Sequence, residues 1–64
     1  MTTVHIVCTD PRHGVNAWLE RWIEAHAGDA DIRLLRDARE ASGGDFLFLV
    51  SCHQIVGRDI LDRY

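Results

Sequence analysis

A chain of 64 residues makes one small domain at most, and a domain of that size buries only about 60% of the surface its unfolded form exposes. Seven basic against ten acidic residues leave a net charge of -3, without the basic stripe that marks a nucleic-acid module. With 47% hydrophobic and 27% charged residues the chain is too apolar for disorder, yet no apolar run approaches the ~20 residues of a membrane span.

Val4-His5-Ile6-Val7-Cys8 is a β-branched run that stops at the turn-forming Thr9-Asp10-Pro11, so it predicts a strand. Its near-continuous apolar character, broken only by His5, suits a strand covered on both faces, as in a parallel sheet. After the loop, Asn16 is placed to cap a helix, because its side-chain oxygen can accept from an early helix amide. Trp18, Leu19, Trp22, Ile23 and His26 then recur at helical spacing, with Glu20, Arg21 and Glu24 on the other face. Gly28 is expected to end this helix in the left-handed conformation. Asp31 to Leu35 predicts a second strand, and the charged stretch from Arg36 to Ser42 a loop or ragged helical turn before the breaker Gly43-Gly44. Asp45-Phe46-Leu47-Phe48-Leu49-Val50 is the most apolar stretch and is expected as a buried central strand. A loop from Ser51 to Val56 leads past Gly57 into a helix that begins at Arg58, with Ile60, Leu61 and Tyr64 on one side.

These elements spell the start of a Rossmann-like, three-layer α/β fold: three parallel strands with helices. Right-handed crossovers place the first strand between the other two, in order 2-1-3. The loops after Cys8 and after Val50 then meet at the carboxyl ends of adjacent strands, where open α/β sheets bind ligands.

The first loop excludes two common nucleotide sites. Thr9 to Gly14 has one glycine where a dinucleotide fingerprint needs three, and no glycine-rich run ends in Lys and Ser or Thr. The start of the Trp18 helix, with Arg12 nearby, offers amides to an anion, as any helix start does. Cys8, His13, Cys52 and His53 would make an acceptable zinc set if they converged, but no pair has the usual ligand spacing. Cys52 as a nucleophile would need a base and an orienting group that sequence adjacency does not supply. His5, inside a strand, reads as a hydrogen-bonded structural histidine, and His26 as a partner for its helix dipole. Trp18 and Trp22 read as the core face of their helix. A phosphorylated Asp of the receiver type has no counterpart at Val50-Ser51-Cys52. Two cysteines are too few for a disulfide scaffold, and Met1-Thr2-Thr3 lacks the layout of a signal peptide, so a cytoplasmic location is expected.

From Asp45 to Val56, followed by Ile60-Leu61-Asp62-Arg63-Tyr64, the chain resembles the folate-dependent formyltransferases, the family acting on glycinamide ribonucleotide, methionyl-tRNA and sugar amines. The shared pattern is an acidic residue, an apolar strand, a small residue, a loop ending in a hydrophobic pair, and a helix. Val4 to Asn16 fits more loosely, with Gly14-Val15-Asn16 resembling a Gly-Ser-Asn of the purine branch, and the short span from Leu35 to Asp45 is similar to the compact sugar-amine type. The resemblance implies that Cys52, His53, Gln54, Ile55 and Val56 line the pterin-like end of N10-formyltetrahydrofolate, largely through main-chain groups. It implies that His13, Gly14 and Asn16 face a small-molecule amine substrate. The family's catalytic Asn, His and Asp belong downstream of the helix that here reaches Tyr64, so residues 1-64 are expected as an N-terminal portion without catalytic residues and without a metal, with the remainder of the enzyme or another chain as partner at the sheet edge. The competing expectation is a small α/β interaction domain, without catalysis, that oligomerises by pairing its sheet edge with another chain.

Overall fold

The computed structural model describes residues 1-64. Its elements are β1 (Thr2–Val7), α1 (Val15–His26), β2 (Ala30–Leu35), a single 3-10 turn (Ala38–Glu40), β3 (Phe46–Leu49) and α2 (Arg58–Leu61). The three strands form one parallel sheet in the order β2-β1-β3, so the fold is the expected α/β start with the first strand in the middle. No helix is long and apolar enough to cross a membrane.

Strand alternation divides the core between the two faces of the sheet. Val4, Ile6 and Cys8 point to the face that α1 covers, where they bury Leu19, with Ala30, Ile32 and Leu34 of β2 packed alongside. Val7 points the other way and meets Ala38, Ala41 and Ile60, with Leu47 and Tyr64 at the margin. This second layer is thin: one 3-10 turn and a four-residue helix. His5 shares that face and is buried, its Nδ1 paired with the Tyr64 hydroxyl at 2.5 Å and its ring edge-on to the tyrosine. The structural role expected of His5 is therefore the one it has.

Four expectations change. Asn16 is not the helix cap: α1 begins at Val15, Gly14 caps it without a side-chain bond, and Asn16 lies inside the first turn. The reason is local, because the His13 ring already accepts from the Val15 amide at 3.0 Å and the helix starts two residues earlier. Gly28 does not take a left-handed conformation. α1 ends at His26 with its cap Ala27 in ordinary helical geometry, and the Asp29 amide closes a turn on the His26 carbonyl at 2.9 Å, enough to enter β2 at Ala30. The apolar run of β3 is an edge strand, with Phe46, Phe48 and Leu49 about half exposed, because β1 takes the centre and α1 reaches only part of the sheet. The tryptophans follow from this: Leu19 is the core residue of α1, Trp18 is 60% exposed, and Trp22 is only partly covered.

The glycine pair before β3 has a steric reason at Gly44. A Cβ there would sit 2.9 Å from Thr3 Cγ2 and 3.2 Å from the Thr3 carbonyl, where the chain slides in beside β1. Gly43 beside it takes the left-handed side of conformational space, with φ at 121°.

Candidate functional site

The carboxyl ends of β1 and β3 are tied together by one side chain. The Thr9 hydroxyl accepts from the His53 amide at 2.9 Å and donates to the Ser51 carbonyl at 3.4 Å, so the two loops form one crevice. Ser51 reaches this position through a left-handed backbone (φ 49°), which for a non-glycine residue costs on the order of 1 kcal/mol. That turn reverses the chain straight after β3 and aims the following loop back over β1.

A second pin holds the far side of the loop. Gln54 Oε1 accepts from the Ala38 amide at 2.6 Å, joining the loop to the 3-10 turn beyond β2. Between and beyond these pins, the main-chain amides of Gln54, Ile55 and Val56 have no hydrogen-bond partner within the chain. Ile55 is 97% exposed, and His53 and Gln54 are exposed as well. Gln54, Ile55 and Val56 therefore carry uncommitted main-chain amides on a loop whose position is set from both sides.

The first loop is organised differently. The Asp10 carboxylate accepts from the Arg12 amide at 3.0 Å, shaping a turn, and the buried Asn16 reaches back to the Asp10 and His13 carbonyls through Nδ2 at 2.9 and 2.8 Å. Asn16 Oδ1 accepts from Arg36 Nη1 at 2.5 Å, and the same nitrogen lies 3.4 Å from the Cys8 carbonyl. The Asn16 carboxamide is thus spent inside the protein and leaves no free polar group for a substrate. His13 Nδ1 is occupied by the Val15 amide, and Gly14 borders open space. Of the three residues expected to face an amine, only Gly14 and the outer nitrogen of His13 are free to do so. Because the Val15 and Asn16 amides are bound by His13, the helix start offers little to an anion.

Arg36 was not anticipated. It follows β2 directly, so the rule that pointed to the loops after Cys8 and Val50 points equally to it. No carboxylate lies within ion-pair distance of its guanidinium, and its charge stands beside the crevice. Thr9 belonged to the expected loop, but its bridging role needed the third dimension. Of the four candidate zinc ligands, Cys8 is fully buried with its thiol directed to the Asp10 carbonyl, and no three His, Cys, Asp or Glu side chains gather as a metal-binding group. Cys52 is partly exposed with its thiol toward the Gln54 carbonyl, without a histidine as partner.

Beside the crevice, on the α1 face, an open apolar groove of about 260 Å³ is lined by Ile6, Trp18, Leu19, Trp22, Phe48 and Val50. Compared with protein-family models, with curated proteins and with solved structures, the chain matches none.

Proposed function

We propose that the crevice between the loops after β1 and β3 binds the pterin-like ring of N10-formyltetrahydrofolate. In this reading residues 1-64 are the folate-binding portion of a formyltransferase that acts on a small amine, amino sugars being one class that the resemblance over Leu35 to Asp45 includes. The observation that carries the reading is the run of unpartnered amides at Gln54, Ile55 and Val56, on a loop pinned by Thr9 and Ala38. A fused heterocycle with alternating donors and acceptors is well matched by successive main-chain groups on a rigid loop, because a pre-ordered loop does not lose conformational freedom on binding. Recognition by main chain also accommodates the unusual Cys52-His53-Gln54 side chains in a position that resembles the family's folate loop. Arg36, charged and without a carboxylate partner, suits an anionic group of the ligand.

Formyl transfer needs a donor that polarises the formyl oxygen and a base for the attacking amine. Around this crevice Asn16 is committed to Arg36 and His13 Nδ1 to the Val15 amide, so the role assigned to these residues is binding. The buried Cys8 and the unpaired Cys52 are compatible with a reducing cytoplasm.

The test is equilibrium binding of 5-formyltetrahydrofolate, a stable reduced folate, by calorimetry. Saturable binding is expected, weakened about tenfold by Ile55→Pro, which removes one amide, and almost unchanged by Ile55→Ala, a swing of about 1.4 kcal/mol between main chain and side chain. Absence of binding at millimolar ligand would end the folate reading. Equal losses in the two variants would end the main-chain account of it.

A further inference from the structure

We infer that the free edge of β3 pairs antiparallel with the same edge of a second copy, about a two-fold axis at Phe48, to give a six-stranded sheet. This goes beyond the folate reading and competes with it for one surface, because a formyltransferase that continued past residue 64 would lay its next strand on the same edge.

The two edges of the sheet are built in opposite ways. On the β2 edge, Asp31 and Arg33 stand exposed on one face, 3.8 Å apart, and charged side chains of that kind block edge-to-edge pairing. The β3 edge reads Phe46-Leu47-Phe48-Leu49, with no charge and no proline, and Phe46, Phe48 and Leu49 are about half exposed. One edge is protected and the other is not.

The main chain of β3 is arranged for a copy of itself. Val7 lies opposite Leu49, and the Val50 amide donates to the Val7 carbonyl at 2.9 Å. Along a parallel ladder the bonding direction alternates, so Phe46, Phe48 and Val50 turn their main-chain groups to β1, and Leu47 and Leu49 turn theirs outward. An antiparallel copy centred on Phe48 sets Leu47 against Leu49 of the second copy and Leu49 against its Leu47, satisfying all four outward groups on each strand. Asp45 then faces Ser51 of the second copy, so no like charges are opposed. A two-fold axis at Leu47 uses only the Leu47 pair and sets Leu49 against Asp45, whose amide is already held by the Thr3 carbonyl.

The side chains agree with the same axis. Phe46 and Phe48 are stacked neighbours, 6.4 Å apart, on the face that carries the apolar groove with Trp18 and Trp22. Pairing at Phe48 brings the two Phe48 rings together and joins the two grooves into one apolar seam under the paired helices. Phe46, Phe48, Leu49 and Trp18 offer roughly 300–400 Å² of apolar surface per chain, and with the edge main chain two copies reach about the 1,000 Å² that a specific interface needs. The antiparallel arrangement leaves the two carboxyl-end crevices at opposite ends of the sheet, so ligand binding and pairing are read separately.

Sedimentation of the purified chain over a range of concentrations is expected to show a monomer–dimer equilibrium. Phe48→Lys, which sets two like charges against each other on the axis, should weaken it at least a hundredfold, while circular dichroism stays native. Because a charged variant can fail to fold, a second measurement uses Phe48→Cys in a Cys52→Ser background. Directly opposed residues of a non-hydrogen-bonded pair lie about 4.5 Å apart at Cα, within disulfide reach, so mild oxidation should give one covalent dimer. Oxidation of Arg33→Cys in the same background should give none. A native chain that remains monomeric at about 0.1 mM, a dimer indifferent to Phe48→Lys, or cross-linking equal at positions 33 and 48 would each overturn the inference. A monomer that instead takes up an extended apolar peptide along β3 would overturn it too, by assigning the edge to a different partner.

Discussion

Ile6 and Phe48 are register partners across β1 and β3, and both point to the α1 side of the sheet. Ile6 is 2% exposed and Phe48 is 49% exposed. The exposed residue lies on the more apolar strand: β3 is Phe46-Leu47-Phe48-Leu49, whereas β1 carries Thr2, Thr3 and His5, so composition alone would reverse the order. The difference is the number of neighbours: β1 has a strand on each side and a layer on each face, whereas β3 has one strand neighbour and lies beyond the reach of α1. Burial is thus a property of place in the sheet, and an apolar run specifies a strand without specifying its position.

The sharpest way to break this comparison is to truncate both partners. Ile6→Ala should cost about 2–5 kcal/mol, since a cavity opens in a filled core, and a domain this small has little more than that to lose. Phe48→Thr, measured by urea unfolding at protein concentrations low enough to be monomeric, should cost about 1–2 kcal/mol, because half the ring is already in water. Equal effects would show that β3 is as much core as β1.

The same strand carries a polar test. His5 faces the thin layer and its Nδ1 has the Tyr64 hydroxyl as partner. Tyr64→Phe leaves a buried ring nitrogen without that partner and should destabilise by about 1–3 kcal/mol, read from the shift of the urea midpoint at constant slope. A neutral result would mean that the layer is loose enough for water to replace the hydroxyl.

The smallest effect lies outside both clusters. The Arg39 guanidinium on the Asp37 carboxylate, followed by the bond from the Arg39 amide, holds the Asp37 carboxyl well below its ordinary value of 3.8. A carboxylate depressed in the folded state adds stability that is complete above pH 3.8 and is lost as pH falls toward the folded value. Both groups are solvent-screened, so the stability term is slight. Carbon-detected titration should find Asp37 still ionised well below pH 3.8 and should find it moved back up in Arg39→Gln, with the unfolding midpoint at neutral pH unchanged.

Much of this fold was legible in the chain because it is written in periodicity. The spacing of Trp18, Leu19, Trp22 and Ile23 gave α1, and the branched and aromatic runs gave the strands. Parallel crossovers then left few arrangements beyond the order 2-1-3. The meeting of the loops after Cys8 and Val50 followed from that order. What was not legible depended on contacts between segments far apart in sequence. Asn16 reads as a cap only while Arg36, twenty residues on, is ignored, and nothing in a loop sequence shows that His13 has already claimed the Val15 amide. Trp18 and Trp22 occupy a core-facing spacing, yet how much core exists on that side is decided by how far α1 extends over β3.

The sequence by itself determined the kinds of element, their order and the edge of the sheet at which a site can form, because helix and strand periods and connection rules are local or nearly so. The tertiary structure alone decided which apolar strand is buried and which is an open edge. It also decided that Thr9, Ser51 and Gln54 hold the candidate loop while Arg36 takes Asn16 out of the site. Those outcomes rest on hydrogen bonds between residues 16 to 44 apart and on the layer each strand happens to lie beneath, and neither quantity is present in any local stretch of the chain.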